Sequence, residues 1–449
     1  MLVIDFADPT VISFDPRPLR DVAPSPYPFG YETALEELTL PMLINSTAIT
    51  RVSDPAGDHT AHEHAERVYS VRIDKSEAKE LRRFPNLRAV EYTEKKSAVL
   101  PAEVAALGAL RCLELEGVNR FKKLPKALAK LPQLEAFGLT NAHNVREIGL
   151  LRELTELRYL SLYNTIKLED YSPIGALAKL EELRLDALVY SLRTIPRELA
   201  ELPALRRLSL ASTVADITDL SVFEALPQLE VLNLEWRCGA AVPPALAHLR
   251  RLTALDLSAC EAEDFSVLSS MGALELLAWR HGERAALPAE LGALSGLRHL
   301  RLQFHKRLRD DADFSWLAEL RGLETLAIEH CGLTRLPREL GALERLRELS
   351  VNGCSALTDL SAIRELPRLE YLSVEGTAAL DQTVALARAL PSLRFLAYPR
   401  GDFGALADHP TLELVHYGSW VEDADLDARA RVAFEHHRSL GAGWRRGRA

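Results

Sequence analysis

Leu297-Arg298-His299-Leu300-Arg301-Leu302 is followed by Leu323-Glu324-Thr325-Leu326-Ala327-Ile328, then by Leu346-Arg347-Glu348-Leu349-Ser350-Val351 and Leu369-Glu370-Tyr371-Leu372-Ser373-Val374. Each copy reads L-x-x-L-x-L. Its last two apolar positions are two residues apart, so in an extended chain they point to one side and the intervening side chains to the other. Further copies open at Leu110, Leu157, Leu180, Leu205, Leu229 and Leu252, and weaker ones at Leu87, Leu134, Leu274 and Leu393. Degenerate copies open at Val68 and Leu412. The interior copies start 22 to 26 residues apart. A single copy cannot bury its own apolar side, so neighbours must stack, and length grows without enlarging a common core.

The segments between the copies come in two flavours. One carries an apolar residue and proline, at Leu100-Pro101, Leu124-Pro125, Ile195-Pro196, Val242-Pro243, Leu287-Pro288 and Leu336-Pro337. The other carries Asp-x-Ser, at Asp170, Asp219, Asp264, Asp313 and Asp359. Between residues 190 and 365 they alternate. Proline is tolerated early in a short helical turn, because that N–H has no intrahelical partner. Asp or Ser at the same place caps orphan N–H groups. Both flavours predict short turns facing away from the strands.

Register and period together resemble the leucine-rich-repeat family, over residues 67–419. The Asp-x-Ser turns resemble those of internalin-like repeats. The resemblance implies an α/β fold class: a curved leucine-rich-repeat solenoid of about 15–16 repeats of ~23 residues. A parallel β-sheet would line its concave side, with 3₁₀ turns, short helices and extended segments on the convex side. Residues 1–66 would form an N-terminal cap or small accessory region, and residues 420–449 a capping helix and basic tail. The position eight after each first leucine normally holds Asn, Cys or Thr bonded to the turn backbone. Here it holds Cys260, Cys331, Cys354, Thr165, Thr213 and Thr377, so these cysteines read as buried ladder residues. Cys112 falls at an outward strand position and Cys238 in a turn, both read as exposed free thiols.

The net charge of −10 argues against general nucleic-acid binding, which needs a basic surface. Five scattered cysteines, no recognisable leader and no long apolar run lead to the expectation of a cytoplasmic chain without a membrane span. Abundant Ala, Leu and Arg suggest a GC-rich bacterial genome. At the N-terminal end, Leu2–Phe6 and Thr10–Phe14 read as two strands and Tyr31–Leu40 as a short helix. At the other end, Asp423–Ser439 reads as an amphipathic helix, followed by Arg445-Arg446-Gly447-Arg448.

Chemistry is sparse. His59, His62 and His64 form the one dense histidine cluster, but the spacing is not that of a zinc-binding helix, and a polar loop is the plainer reading. There is no phosphate-binding glycine loop and no nucleophile elbow. No catalytic residue, cofactor or metal is therefore expected. The outward positions instead suggest a surface for a protein partner: Tyr159, Tyr163, Glu235, Trp236, Asp256, Arg280, His281, His299, Arg301, Phe304, Glu329 and His330. Exposed aromatics beside Arg and His have the composition of a binding hot spot. Two other readings compete. One is a metal-dependent enzyme built on the N-terminal histidines. The other is contact with a ligand or nucleic acid through the arginine tail.

Overall fold

The computed structural model describes residues 2–4, 12–14, 50–51, 70–73, 75–76, 78–84, 87–188, 194–211, 219–234, 241–397, 406, 409–412 and 414–416. They fall in two compact units, Met1–Trp236 and Arg237–Ala449. His59, His62, His64, Glu235, Trp236, Thr213, Cys238 and the expected elements at 31–40 and 423–448 lie outside the described residues.

In the first unit, β1 (Leu2–Ile4) pairs antiparallel with β2 (Ile12–Phe14), as the N-terminal pattern suggested. The next strands are β3 (Thr50–Arg51), β4 (Ser70–Ile73), β5 (Ala89–Thr93), β6 (Cys112–Glu116) and β7 (Ala136–Thr140). They continue as β8 (Tyr159–Tyr163), β9 (Glu182–Arg184), β10 (Arg207–Ser209) and β11 (Val231–Asn233). From β3 onward each strand pairs in parallel with the next. The register places Val90, Leu113, Phe137, Leu160, Leu183, Leu208 and Leu232 in one inward rank, all buried.

The second unit repeats the scheme with β12 (Ala254–Asp256), β13 (Leu276–Arg280), β14 (His299–Gln303) and β15 (Thr325–Glu329). β16 (Glu348–Ser350), β17 (Tyr371–Ser373), β18 (Phe395–Ala397) and β19 (Leu414–His416) follow, again parallel in chain order. Leu255, Leu277, Leu300, Leu326, Leu349, Leu372 and Leu396 form its inward rank. Trp279 takes the third apolar position of its repeat and is fully buried, its indole N–H donating to the Cys260 carbonyl at 3.1 Å. Burying each such side chain contributes roughly 1.5–3 kcal/mol.

The return segments are mostly single 3₁₀ turns of five residues. In the proline flavour, proline precedes the turn and its carbonyl accepts the first bond, as from Leu128 N to Pro125 O at 3.0 Å and Leu246 N to Pro243 O at 3.1 Å. In the other flavour the Asp carboxylate accepts the N–H of the Ser two residues on, in all five copies, at 2.8–3.0 Å. Those hydrogen bonds hold the five carboxyls below the usual range. Among the described residues three returns are α-helical: α1 (Ala102–Ala105), α2 (Ser315–Glu319) and the ten-residue α3 (Leu380–Ala389). No helix among the described residues is long and apolar enough to cross a membrane.

The ladder position behaves as its residue types imply. Cys331 N donates to Cys354 Sγ at 3.3 Å, and Cys354 Sγ lies 3.1 Å from the Ile328 carbonyl. Burial and the neighbouring sulfur push the Cys331 thiol far above its ordinary pKa. Two expectations change. Cys260 is buried but disulfide-bonded, unlike the free thiols Cys331 and Cys354. Cys112 does sit at an outward strand position, yet it is buried. It packs in a cluster with Ala89 and Ala136 of the flanking strands and Tyr159 of β8 beyond. Side chains on strands less than 5 Å apart screen one another from water.

Candidate binding face and its aromatic stack

From the repeat opening at Leu110 onward, the residue seven places after the first leucine lies just past the strand and is left-handed wherever it is described. In the first unit these residues are Gly117, Asn141, Asn164 and Ala187, with φ between +53° and +63°. In the second they are Ala259, His281, Phe304, His330, Gly353 and Gly376, with φ between +52° and +71°. A recurring backbone rung accompanies this conformation, in which the N–H donates to the carbonyl one residue earlier in the next repeat's register. His281 N bonds Gln303 O at 2.9 Å, Phe304 N bonds Glu329 O at 2.9 Å, and His330 N bonds Asn352 O at 2.8 Å. Glycine and asparagine tolerate that geometry; bulky side chains do not.

Three consecutive rungs nevertheless carry rings. His281 stacks on Phe304 at 4.8 Å between centroids and 5° between planes, and Phe304 stacks on His330 at 4.6 Å and 6°. Both histidines are exposed and Phe304 is half-buried. Three bulky left-handed residues cost roughly 3–6 kcal/mol in backbone strain. Two stacked pairs return only roughly 1–3 kcal/mol beyond area burial. Stacking alone does not offset that strain, and Gly or Asn would fill the same turns with less of it. Strained conformations of this kind concentrate where a protein binds or reacts.

Beside the stack, outward polar residues are tied across strands. Glu329, buried, accepts from Gln303 Nε2 on β14 and from the Ser350 hydroxyl on β16. Asp256, also buried, accepts from Ser258 N at 2.7 Å and lies 3.3 Å from the Arg280 guanidinium. Asn352 Oδ1 accepts from the Ser373 hydroxyl at 2.6 Å and from Glu375 N at 3.0 Å. Such satisfied networks hold side chains in one arrangement. His299 and Arg301 are half-buried on β14, and burial lowers the His299 pKa. On β16, burial pushes the Glu348 carboxyl up to about 8, with the Thr325 hydroxyl donating to it at 3.1 Å.

The expected site residues therefore divide. Arg280, His281, His299, Arg301, Phe304, Glu329 and His330 are gathered on β13–β15 and the turns that follow them. His281, Phe304 and His330 lie in the left-handed turns beyond the strands and not on the strands themselves. Tyr163 is exposed in the first unit, whereas Tyr159 on the same strand is buried. Buried Asp256 and Glu329 brace the surface from below, leaving their neighbours to meet solvent.

One element was missed in the sequence. From Arg111 to Arg394 the residue after each first leucine alternates in sign between adjacent repeats, interrupted by Thr253. Arg111 pairs with Glu135 at 3.3 Å, Arg206 with Glu230 at 3.6 Å, and Arg158 with Glu181. In the second unit Arg298 pairs with Glu324 at 2.5 Å and Arg347 with Glu370 at 2.7 Å. Aligning the repeats on their first leucine would have revealed it. At its far end Glu324, Arg345, Arg347, Arg368, Glu370 and Ser392 line an open cleft of about 400 Å³.

A family model described as a leucine-rich repeat region matches residues 190–397. No functionally curated protein matches the chain in sequence. Among solved structures, a leucine-rich-repeat protein of Leptospira interrogans superposes with a TM-score of 0.53 at 20% identity, over 78% of this chain and 93% of that one. TLR13, solved in complex with a single-stranded RNA, gives 0.59 at 19% identity, over 78% of this chain and 57% of that one. An internalin of Listeria monocytogenes gives 0.49 at 19% identity, over 76% and 89%. At these identities the likeness is one of fold. The repeating L-x-x-L-x-L register, the parallel strands joined by 3₁₀ turns and the matched repeat region together show a leucine-rich-repeat fold, with residues 190–397 matching the repeat family itself.

Proposed function

We propose that the chain is a non-catalytic scaffold that holds a protein partner against the outward side of its strands, centred in the second unit on β13–β15. The observation that carries this reading is the His281–Phe304–His330 stack, three rings kept exposed or half-exposed at turn positions that Gly and Asn fill elsewhere with less strain. Aromatic residues with an adjacent Arg301 suit a protein hot spot. The braced carboxylates of Asp256 and Glu329 keep that surface preorganised, which lowers the entropy lost on binding.

The test is affinity capture from the native host with the full chain, compared with Arg301→Ala and Phe304→Asn. A specific partner should be recovered by the wild type and reduced at least tenfold in both variants, with circular dichroism unchanged. Recovery of the same proteins in equal amounts by all three chains would remove the reading. It also places the chain in the cytoplasm, which the free thiols Cys331 and Cys354 favour and the Cys260 disulfide opposes. Counting free thiols in protein alkylated at the moment of lysis decides between them.

A further inference from the structure

The aromatic stack has two unlike ends. At one end His330 leans over Gly353, where a Cβ would lie 2.2 Å from two atoms of the imidazole. There the His330 ring itself occupies the space over the next rung. At the other end the next rung is Ala259, whose N–H donates to the Arg280 carbonyl at 2.6 Å. Ala259 has the same left-handed conformation, φ +61°, but offers only a methyl group. His281 is exposed, and among the described residues its one ring partner is Phe304. The rings repeat at 4.6–4.8 Å, the spacing of the strands beneath them. A fourth ring in register would therefore lie over Ala259, against the outer face of His281.

The polar surroundings select what fits there. Arg280 reaches back over the Ala259 repeat: its Nε donates to Ser258 Oγ at 3.2 Å and its guanidinium lies 3.3 Å from Asp256. With Arg280 paired to Asp256, a guanidinium or an ammonium finds no unpaired carboxylate there. A carboxylate would meet a cation already neutralised by Asp256. A neutral planar ring meets neither penalty and gains an offset stack on imidazole.

We propose that this notch takes an aromatic side chain of the protein partner, Phe, Tyr or Trp, as the fourth ring of the stack. The inference rests on the binding reading above and adds the chemistry of the partner's anchor.

The probe is N-acetyl-tryptophanamide, titrated into the full chain carrying ring-¹³C histidine. The His281 ring signal is identified by its loss in His281→Asn, a substitution suited to a left-handed residue. The indole should shift that signal upfield in a saturable way at millimolar probe, more than any other histidine signal. Ala259→Phe, which supplies the fourth ring from within, should abolish the shift; Ala259→Gly, which keeps the notch open, should preserve it. No saturable shift, a shift retained in Ala259→Phe with Ala259→Gly unchanged, or an equal shift with N-acetyl-argininamide would each overturn the proposal. The two readings separate in partner capture. A partner lost in Arg301→Ala but held by Ala259→Phe sinks the notch alone, and one held by both sinks the binding face as well.

Discussion

At the scale of single residues, Phe304 poses the main question, because its backbone angle of +58° is one that a phenylalanine pays to adopt. The equivalent residues Asn141 and Asn164 show the ordinary solution, with Asn164 Nδ2 donating to Asn141 Oδ1 at 2.8 Å. Replacing His281, Phe304 and His330 together by Asn should leave the chain at least as stable as wild type in urea, by up to roughly 3 kcal/mol. A loss of more than about 2 kcal/mol would mean that the rings are structural after all. Glu348 gives a second residue-scale prediction. Its carboxyl is raised from 4.5 to about 8 by burial, so the folded chain binds its proton more tightly than the unfolded chain. The stability it contributes is fully present below 4.5 and is lost as pH rises toward 8. Glu182, raised to about 7 by burial, acts in the same direction over a narrower window. Glu348→Gln should therefore flatten the decline of the urea midpoint between pH 5 and pH 8. Parallel declines in both chains would contradict the assignment.

At the scale of the repeat element, much was legible in the sequence because the spacing itself fixes geometry. The two-residue step within L-x-x-L-x-L correctly placed even the atypical Trp279 inward. The Asp-x-Ser turns were legible because one local hydrogen bond decides them. Asp359→Ala should cost about 1 kcal/mol, since Ser361 N then loses its acceptor, while Asp359→Asn should recover most of it. Equal losses in the two variants would show that charge, and not the acceptor, matters. What escaped the sequence depends on register between repeats. The burial of Cys112, Tyr159 and Asp256 follows from their neighbours across the sheet, which no single repeat reveals. The left-handed character of His281, Phe304 and His330 was signalled by Gly117, Asn141, Gly353 and Gly376 at the same repeat position. The histidine cluster had no cross-repeat pattern to anchor it.

At the scale of the whole molecule, a repeat array distributes its stability among nearest neighbours, so damage should stay local. This bears on function, because a binding face can then be altered in one repeat without unfolding the rest. Leu326 offers the test. It is fully buried on β15, between Leu300 of β14 and Leu349 of β16. Leu326→Ala removes a core side chain at a cost of roughly 2–5 kcal/mol. In a globule with one shared core, that loss would raise hydrogen exchange everywhere. In this chain the amides of β14, β15 and β16 should exchange at least tenfold faster under native conditions. Those of β12 and β18, each three strands away in the same unit, should change less than threefold. Uniform acceleration across the unit would show instead that its repeats unfold as one cooperative body. The Phe304 stack would then have to be judged by its effect on that whole body, and its strain would be felt by every strand.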